Sequence, residues 1–167
     1  MILRLTAKLG SKIGSSPEQC LSLSMNPFLD WVGHLFTAER TQYIILSNTV
    51  SLYSIIMYGR GITDDNEFIS QSMSNMRELM SSDGLEFIFH RLIAPSAGTI
   101  RYSKVTDRHV LGSIAEIVRE ARFYIIERQM SPFDAASQVN QIPLSYLRYK
   151  HPKEVFAQLR PPISFGR

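Results

Sequence analysis

The sequence has 167 residues, 44% of them apolar and 20% charged, with 18 Lys/Arg against 15 Asp/Glu, a net charge of +3 and one cysteine. That length holds one domain rather than two, the composition excludes a disordered chain, and a lone cysteine excludes a disulfide framework or a Cys-rich metal site. Arg4 and Lys8 interrupt the N-terminus before a signal-length apolar run forms, and no stretch approaches the roughly 18 apolar residues of a membrane helix, so a cytoplasmic protein with no membrane partner is expected.

The charge is unevenly spread. Residues 1–83 carry six Lys/Arg and eight Asp/Glu, a net −2, whereas residues 84–167 carry twelve and seven, a net +5. A surface for an anionic partner is therefore sought first in the second half.

In chain order, residues 2–6 alternate as a short strand and residues 7–13 suit a brief helix stopped by Gly14. Beyond the turn residues of 14–17 and the Asn26-Pro27 turn, residues 31–37 are aromatic and β-branched enough for a strand. Residues 41–47 and 51–58, parted by Asn48-Thr49-Val50, read as a hairpin and complete an antiparallel meander over about 31–58. Tyr43 and Ile45 alternate with Ile44 and Leu46, so both faces of the middle strand are apolar and a central, covered strand is predicted.

Past Gly59-Arg60-Gly61 the period lengthens to that of a helix over 64–81, with Asp64 and Glu67 at capping-box spacing and Ile69, Met73, Met76 and Met80 as its stripe. A shorter helix over 85–93 is expected to end at Pro95. Residues 99–104 alternate as an edge strand with Arg101 and Ser103 on a wet face. Asp107 caps a core helix over 107–128, and Ser131-Pro132 and His151-Pro152 begin short C-terminal helices. The expected fold is α+β, a single domain over residues 1–159, with 160–167 as a flexible tail.

No catalytic, metal or nucleotide motif is complete in the sequence, and no cofactor is expected. His34, His90, His109 and His151 are never paired at the spacing that puts two ligands on one helix face, so no metal site is encoded locally. Cys20 has no neighbour in sequence to lower its pKa. Asp64, Asp65 and Glu67 fit helix capping better than a metal. Gly59-Arg60-Gly61 lacks both the dinucleotide and the phosphate-loop patterns, although it offers Arg60 to a cleft at the strand end.

The opening Met1-Ile2-Leu3-Arg4-Leu5-Thr6, Asn26-Pro27-Phe28-Leu29-Asp30-Trp31, the run from Leu35 to Tyr43, Asn48, Leu52-Tyr53, Tyr58-Gly59 and Thr106-Asp107-Arg108 with Gly112 carry a resemblance. Over Met1 to about Leu159 the chain resembles a family of short bacterial proteins classed only as a domain of unknown function. The resemblance implies a bacterial cytosolic protein and supplies no reaction. This chain departs from the family pattern at His34, where asparagine is common, which weakens a catalytic reading of that histidine. Related domains joined to segments typical of plasmid or mobile-element proteins imply an accessory genetic context.

These observations favour a non-enzymatic binding or regulatory module whose partner is a protein or a nucleic acid. Its first candidate surface is Arg148, Tyr149, Lys150 and Lys153 with Tyr146, where cations neutralise phosphates and tyrosines stack on bases. The competing possibility is that these tyrosines anchor the C-terminal segment to the core. Arg101, Lys104 and Arg108 form a second basic group. The alternative function is an enzyme or ligand-binding protein that takes an anionic substrate in a cleft lined by Arg40, Asn48, Arg60 and Arg108. A third reading is a homo-oligomer joined through the methionine stripe or the meander.

Overall fold

Ile2-Leu3-Arg4-Leu5 forms β1 (Ile2–Leu5), which becomes an interior strand although it opens the chain. The structure, a computed structural model that describes residues 1–163, is α+β. After α1 (Ala7–Ile13) the chain returns as β2 (Asp30–Ala38), parallel to β1 with Leu3 opposite Trp31. Gly33 eases that packing: a Cβ there would lie 2.7 Å from the Leu9 Cδ2 methyl of α1, so a larger residue would force the leucine side chain to move.

The meander continues as β3 (Thr41–Asn48) and β4 (Ser54–Tyr58), both antiparallel to their neighbours. The last strand begins later than the alternation predicts, because residues 49–53 form a turn with Leu52 in the left-handed region, φ 60°. β5 (Arg101–Lys104) lies parallel to β1 on its other side, giving a mixed sheet in the order β4-β3-β2-β1-β5. The middle strand of the meander is covered on both faces: Tyr43, Ile44, Ile45 and Leu46 are all buried.

The predicted wet face of β5 is only half realised. Arg101 is exposed, but Ser103 is fully buried because an irregular strap over residues 15–26 runs along the strand. The Lys104 amide donates to the carbonyl of Gln19 and the Leu21 amide to the Ser103 hydroxyl, both at 2.9 Å.

In α2 (Asp65–Ser82) the Asp64 carboxylate caps the Glu67 amide at 2.8 Å. The buried stripe is Phe68, Ser72, Met76, Leu79 and Met80, rotated from the predicted one, with Ile69 and Met73 half-buried. The phenyl ring of Phe68 commits more apolar area to the core than Ile69 does, and so sets which face turns inward. Met76 and Met80 are thus interior residues rather than interface ones.

The next helix is irregular. α3 (Glu86–Ile88) passes into a π turn (Phe89–Ile93) and then a 3-10 turn (Ala94–Ser96) that contains Pro95 within its first positions. The α and π turns thus stop at Ile93, ahead of Pro95 as expected, and Pro95 itself lies in the 3-10 turn that follows. α4 (Arg108–Ile126), capped by Asp107, and α5 (Pro132–Val139), capped by Ser131, form where predicted.

α5 runs beside the outer margin of β4, where the Asn140 side-chain amide takes the Ser54 amide and carbonyl at 2.8 Å each, as a neighbouring strand would. In α6 (Pro152–Gln158) Phe156 stacks on Tyr53 and meets Phe28 and Trp31 edge-on. One hydrophobic cluster extends from Met1 to Phe156. Of the expected tail, residues 164–167 lie outside the described residues, and 161–163 have no regular structure.

Candidate functional site

The C-terminal basic group forms a raised knob between α5 and α6. Leu144 and Leu147 are buried and fix its two feet, with a single 3-10 turn (Ser145–Leu147) between them. The chain then places Arg148 and Tyr149 in the left-handed region in succession, at φ 53° and 62°. Non-glycine residues enter that region at a cost of roughly 1–2 kcal/mol each. The cost is met by a closed set of backbone bonds, in which Arg148 N–H donates to Ser145 O, Tyr149 N–H to Leu144 O and Lys150 N–H to Leu147 O, at 2.8–3.1 Å.

The outcome is a backbone-bonded tip with Arg148, Tyr149 and Lys150 exposed. Tyr149 is 73% exposed and Tyr146 43%, so the tyrosines do not anchor the segment; Leu144, Leu147 and Phe156 do. Lys153 is drawn away from this group, since its ammonium lies 3.0 Å from Asp83, which also accepts a 2.7 Å bond from the Tyr53 hydroxyl. Burial, and then the Asp107 carboxylate, push the pKa of Tyr146 up. Arg101 and Lys104 are exposed on β5.

The four residues of the anionic cleft are not brought together. Asn48 is fully buried, its amide donating to the carbonyls of Pro27 and Asp30 and its carbonyl accepting from Val50, Ser51 N–H and the Ser51 hydroxyl. Its work is to shape the β3–β4 turn.

Arg40 and Arg60 do meet, at the opposite end of β3, where with Thr41, Gln42 and Tyr58 they line one hollow of about 760 Å³. Gly59 explains the position of Arg60. Its amide donates to Gln42 O at 2.8 Å, and a Cβ would lie 3.2 Å from the Gln42 Cβ, so glycine lets the β4 exit close on β3 and aims the next residue outward. Arg108 lines no part of that hollow. Tyr58 and Gln42 are additions that sequence reasoning did not single out; their signal is the register that sets Tyr43 opposite Tyr58.

A buried ion pair was also not singled out. Arg4 and Asp30 are 5% and 1% exposed and bonded twice, at 2.8 and 2.9 Å. Arg4 further donates to Leu21 O, Ser22 O and the Ser103 hydroxyl, while Asp30 accepts from Thr49 Oγ1 and Ser24 N–H. The signal for it in the sequence is a single arginine inside an apolar strand. With every polar group engaged, the pair ties the strap, β1, β2 and the β3–β4 turn together and has nothing left for a ligand.

The remaining reactive side chains stay apart. Cys20 is exposed, with its sulfur 3.3 Å from the Thr106 hydroxyl. His90 pairs with Glu86 at 3.4 Å, and His151 precedes α6 without a side-chain capping bond. His34 leaves Nδ1 buried without a partner, and burial, then Lys8 and Arg122, hold its pKa down. Among the described residues no three His, Cys, Asp or Glu are grouped as metal ligands, and no helix is long and apolar enough to cross a membrane.

The profile of one protein family, Domain of unknown function (DUF6933), matches residues 2–155. The chain belongs to this family. The match covers the whole sheet, the strap, the knob and the first turn of α6, so both candidate surfaces lie within the family domain. No match was found among curated proteins or among solved structures.

Proposed function

We propose that this chain is a bacterial cytoplasmic, non-enzymatic binding module that grips single-stranded nucleic acid with the knob at residues 146–150. The observation that carries this reading is the pair of left-handed residues, Arg148 and Tyr149, whose strained backbone holds a largely exposed ring between two exposed cations. Strain of this kind persists where the surroundings over-determine it, and it clusters at binding sites. An exposed tyrosine offers a stacking face worth roughly 1–3 kcal/mol per base, and flanking cations neutralise phosphates. The free, exposed Cys20 fits a reducing compartment, and the bacterial setting rests on the resemblance of the sequence.

The test is fluorescence anisotropy with a labelled single strand of about ten nucleotides. Binding should weaken roughly tenfold between about 50 and 200 mM salt, as expected for two or three phosphate contacts. Tyr149→Ala should weaken it at every salt concentration, and Arg148→Ala should also flatten the salt slope. Binding that ignores salt, or that survives both substitutions, would sink the reading.

A further inference from the structure

The acidic first half of the sequence folds to produce a second cationic surface, made of residues that no stretch of sequence unites. The hollow that holds Arg40, Thr41, Gln42, Tyr58 and Arg60 adjoins another of about 580 Å³ lined by Ala7, Lys8, Ser11, Lys12, Leu35 and Gln42. Gln42 belongs to both, and the Lys12 ammonium donates to its side-chain carbonyl at 3.1 Å, so the two hollows adjoin at this pair; because Tyr58 pairs with Tyr43 and Gln42 alternates with it, the trough they make up passes round the end of β3 from one face of the sheet to the other. Four cations therefore come from three places: Lys8 and Lys12 from α1, Arg40 from the β2–β3 turn and Arg60 from the β4 exit.

No carboxylate lines either hollow among the described residues, and none of the four cations is in an ion pair there. Cations left unpaired around one concavity raise the local potential and favour an anion with several charges. At one end of the trough Tyr58 is 54% exposed and is backed by Tyr43, centroids 5.4 Å apart, which in turn stacks on Phe36. A ring supported in this way is a fixed face for a planar group.

We propose that this trough binds a nucleoside polyphosphate, with the base against Tyr58 and the phosphates passing from Arg60 and Arg40 towards Lys12 and Lys8. The arginines give forked bonds to phosphate oxygens, and the lysines act as point charges further along the chain. This site is separate from the knob and shares no residue with it.

The experiment is isothermal titration of the purified chain with ATP, and in parallel with inorganic tripolyphosphate, at about 100 mM salt, near a physiological Debye length. The expected result is that ATP binds more tightly than tripolyphosphate. Arg40→Ala and Arg60→Ala should each weaken both ligands roughly tenfold or more, the scale of a lost hydrogen bond to a charged group. Tyr58→Leu should bring ATP down to the level of tripolyphosphate, and Tyr149→Ala should change neither.

All these side chains except that of Lys12 are exposed, and thermal melts check that each variant folds; Lys8→Glu is the further variant if an arginine substitution does not. Absence of ATP binding in the millimolar range overturns the proposal, as does binding that Arg40→Ala and Arg60→Ala leave intact. Equal affinity for ATP and tripolyphosphate overturns the assignment to a nucleotide. Because Tyr149→Ala weakens only the single strand, failure at the knob and failure in the trough are read separately.

Discussion

Arg4 sits in an apolar strand, and its charge is tolerated there because Asp30 and three further acceptors take every direction in which the guanidinium can donate. Removing one partner leaves the other charge buried and alone, which typically costs about 3–5 kcal/mol. We predict that Arg4→Met destabilises the protein on that scale in urea titrations; a loss under about 1 kcal/mol would mean that water reaches Asp30. His34 presents the reverse situation, a side chain that the fold keeps neutral. Its pKa lies below the ordinary 6.5, first through burial and then through Lys8 and Arg122, so the unfolded chain takes up the proton before the folded one. Stability should thus be full above about pH 6.5 and fall as the pH drops towards the lower folded value. His34→Gln should flatten the melting temperature between about pH 7 and pH 5, and an unchanged slope would assign the acid sensitivity to other groups.

At the level of elements, the knob couples stability to binding in a testable way. Glycine occupies the left-handed region freely, so Tyr149→Gly should stabilise the chain by up to about 1 kcal/mol while weakening the nucleic-acid contact. A substitution that lowers both would show that the ring, not the backbone, holds the tip. The knob also marks how far the sequence could be read. Tyr146, Arg148, Tyr149 and Lys150 were legible as a compact cation–aromatic group, since composition alone signals it. That Lys153 would leave the group for Asp83 was not legible, because the two residues are 70 positions apart and meet only through the docking of α6.

The meander, Asp107 and Ser131 were legible for local reasons, namely period, cap chemistry and proline placement. The parallel insertion of β1 between β2 and β5 was not, since strand order depends on contacts that no local pattern encodes. The same limit hid the trough. Lys8, Lys12, Arg40 and Arg60 lie in a stretch whose summed charge is negative, and only the return of β4 beside β3, with α1 laid against β2, collects them. Asn48 failed as a cleft residue because a turn-forming asparagine and a ligand-binding one look alike in sequence.

For the molecule as a whole, a single hydrophobic cluster running from the first residue to α6 implies one cooperative unfolding transition. Fluorescence of Trp31, which touches Phe156, should coincide with circular dichroism of the helices. Two separated transitions would divide the chain into independent parts. The sheet margins carry a further consequence. Each outer strand is occupied by something that is not a strand: the amide of Asn140 on β4, and the strap at Gln19 on β5. An open sheet invites another chain to extend it, and here each margin is blunted at one residue, Ser54 on β4 and Lys104 on β5. Extension of the sheet by a second copy is thereby disfavoured at Ser54 and at Lys104, the two points where the margins are already bonded. Asn140→Ala should reopen the β4 margin, and light scattering over time should then show growing assemblies where the parent chain shows none.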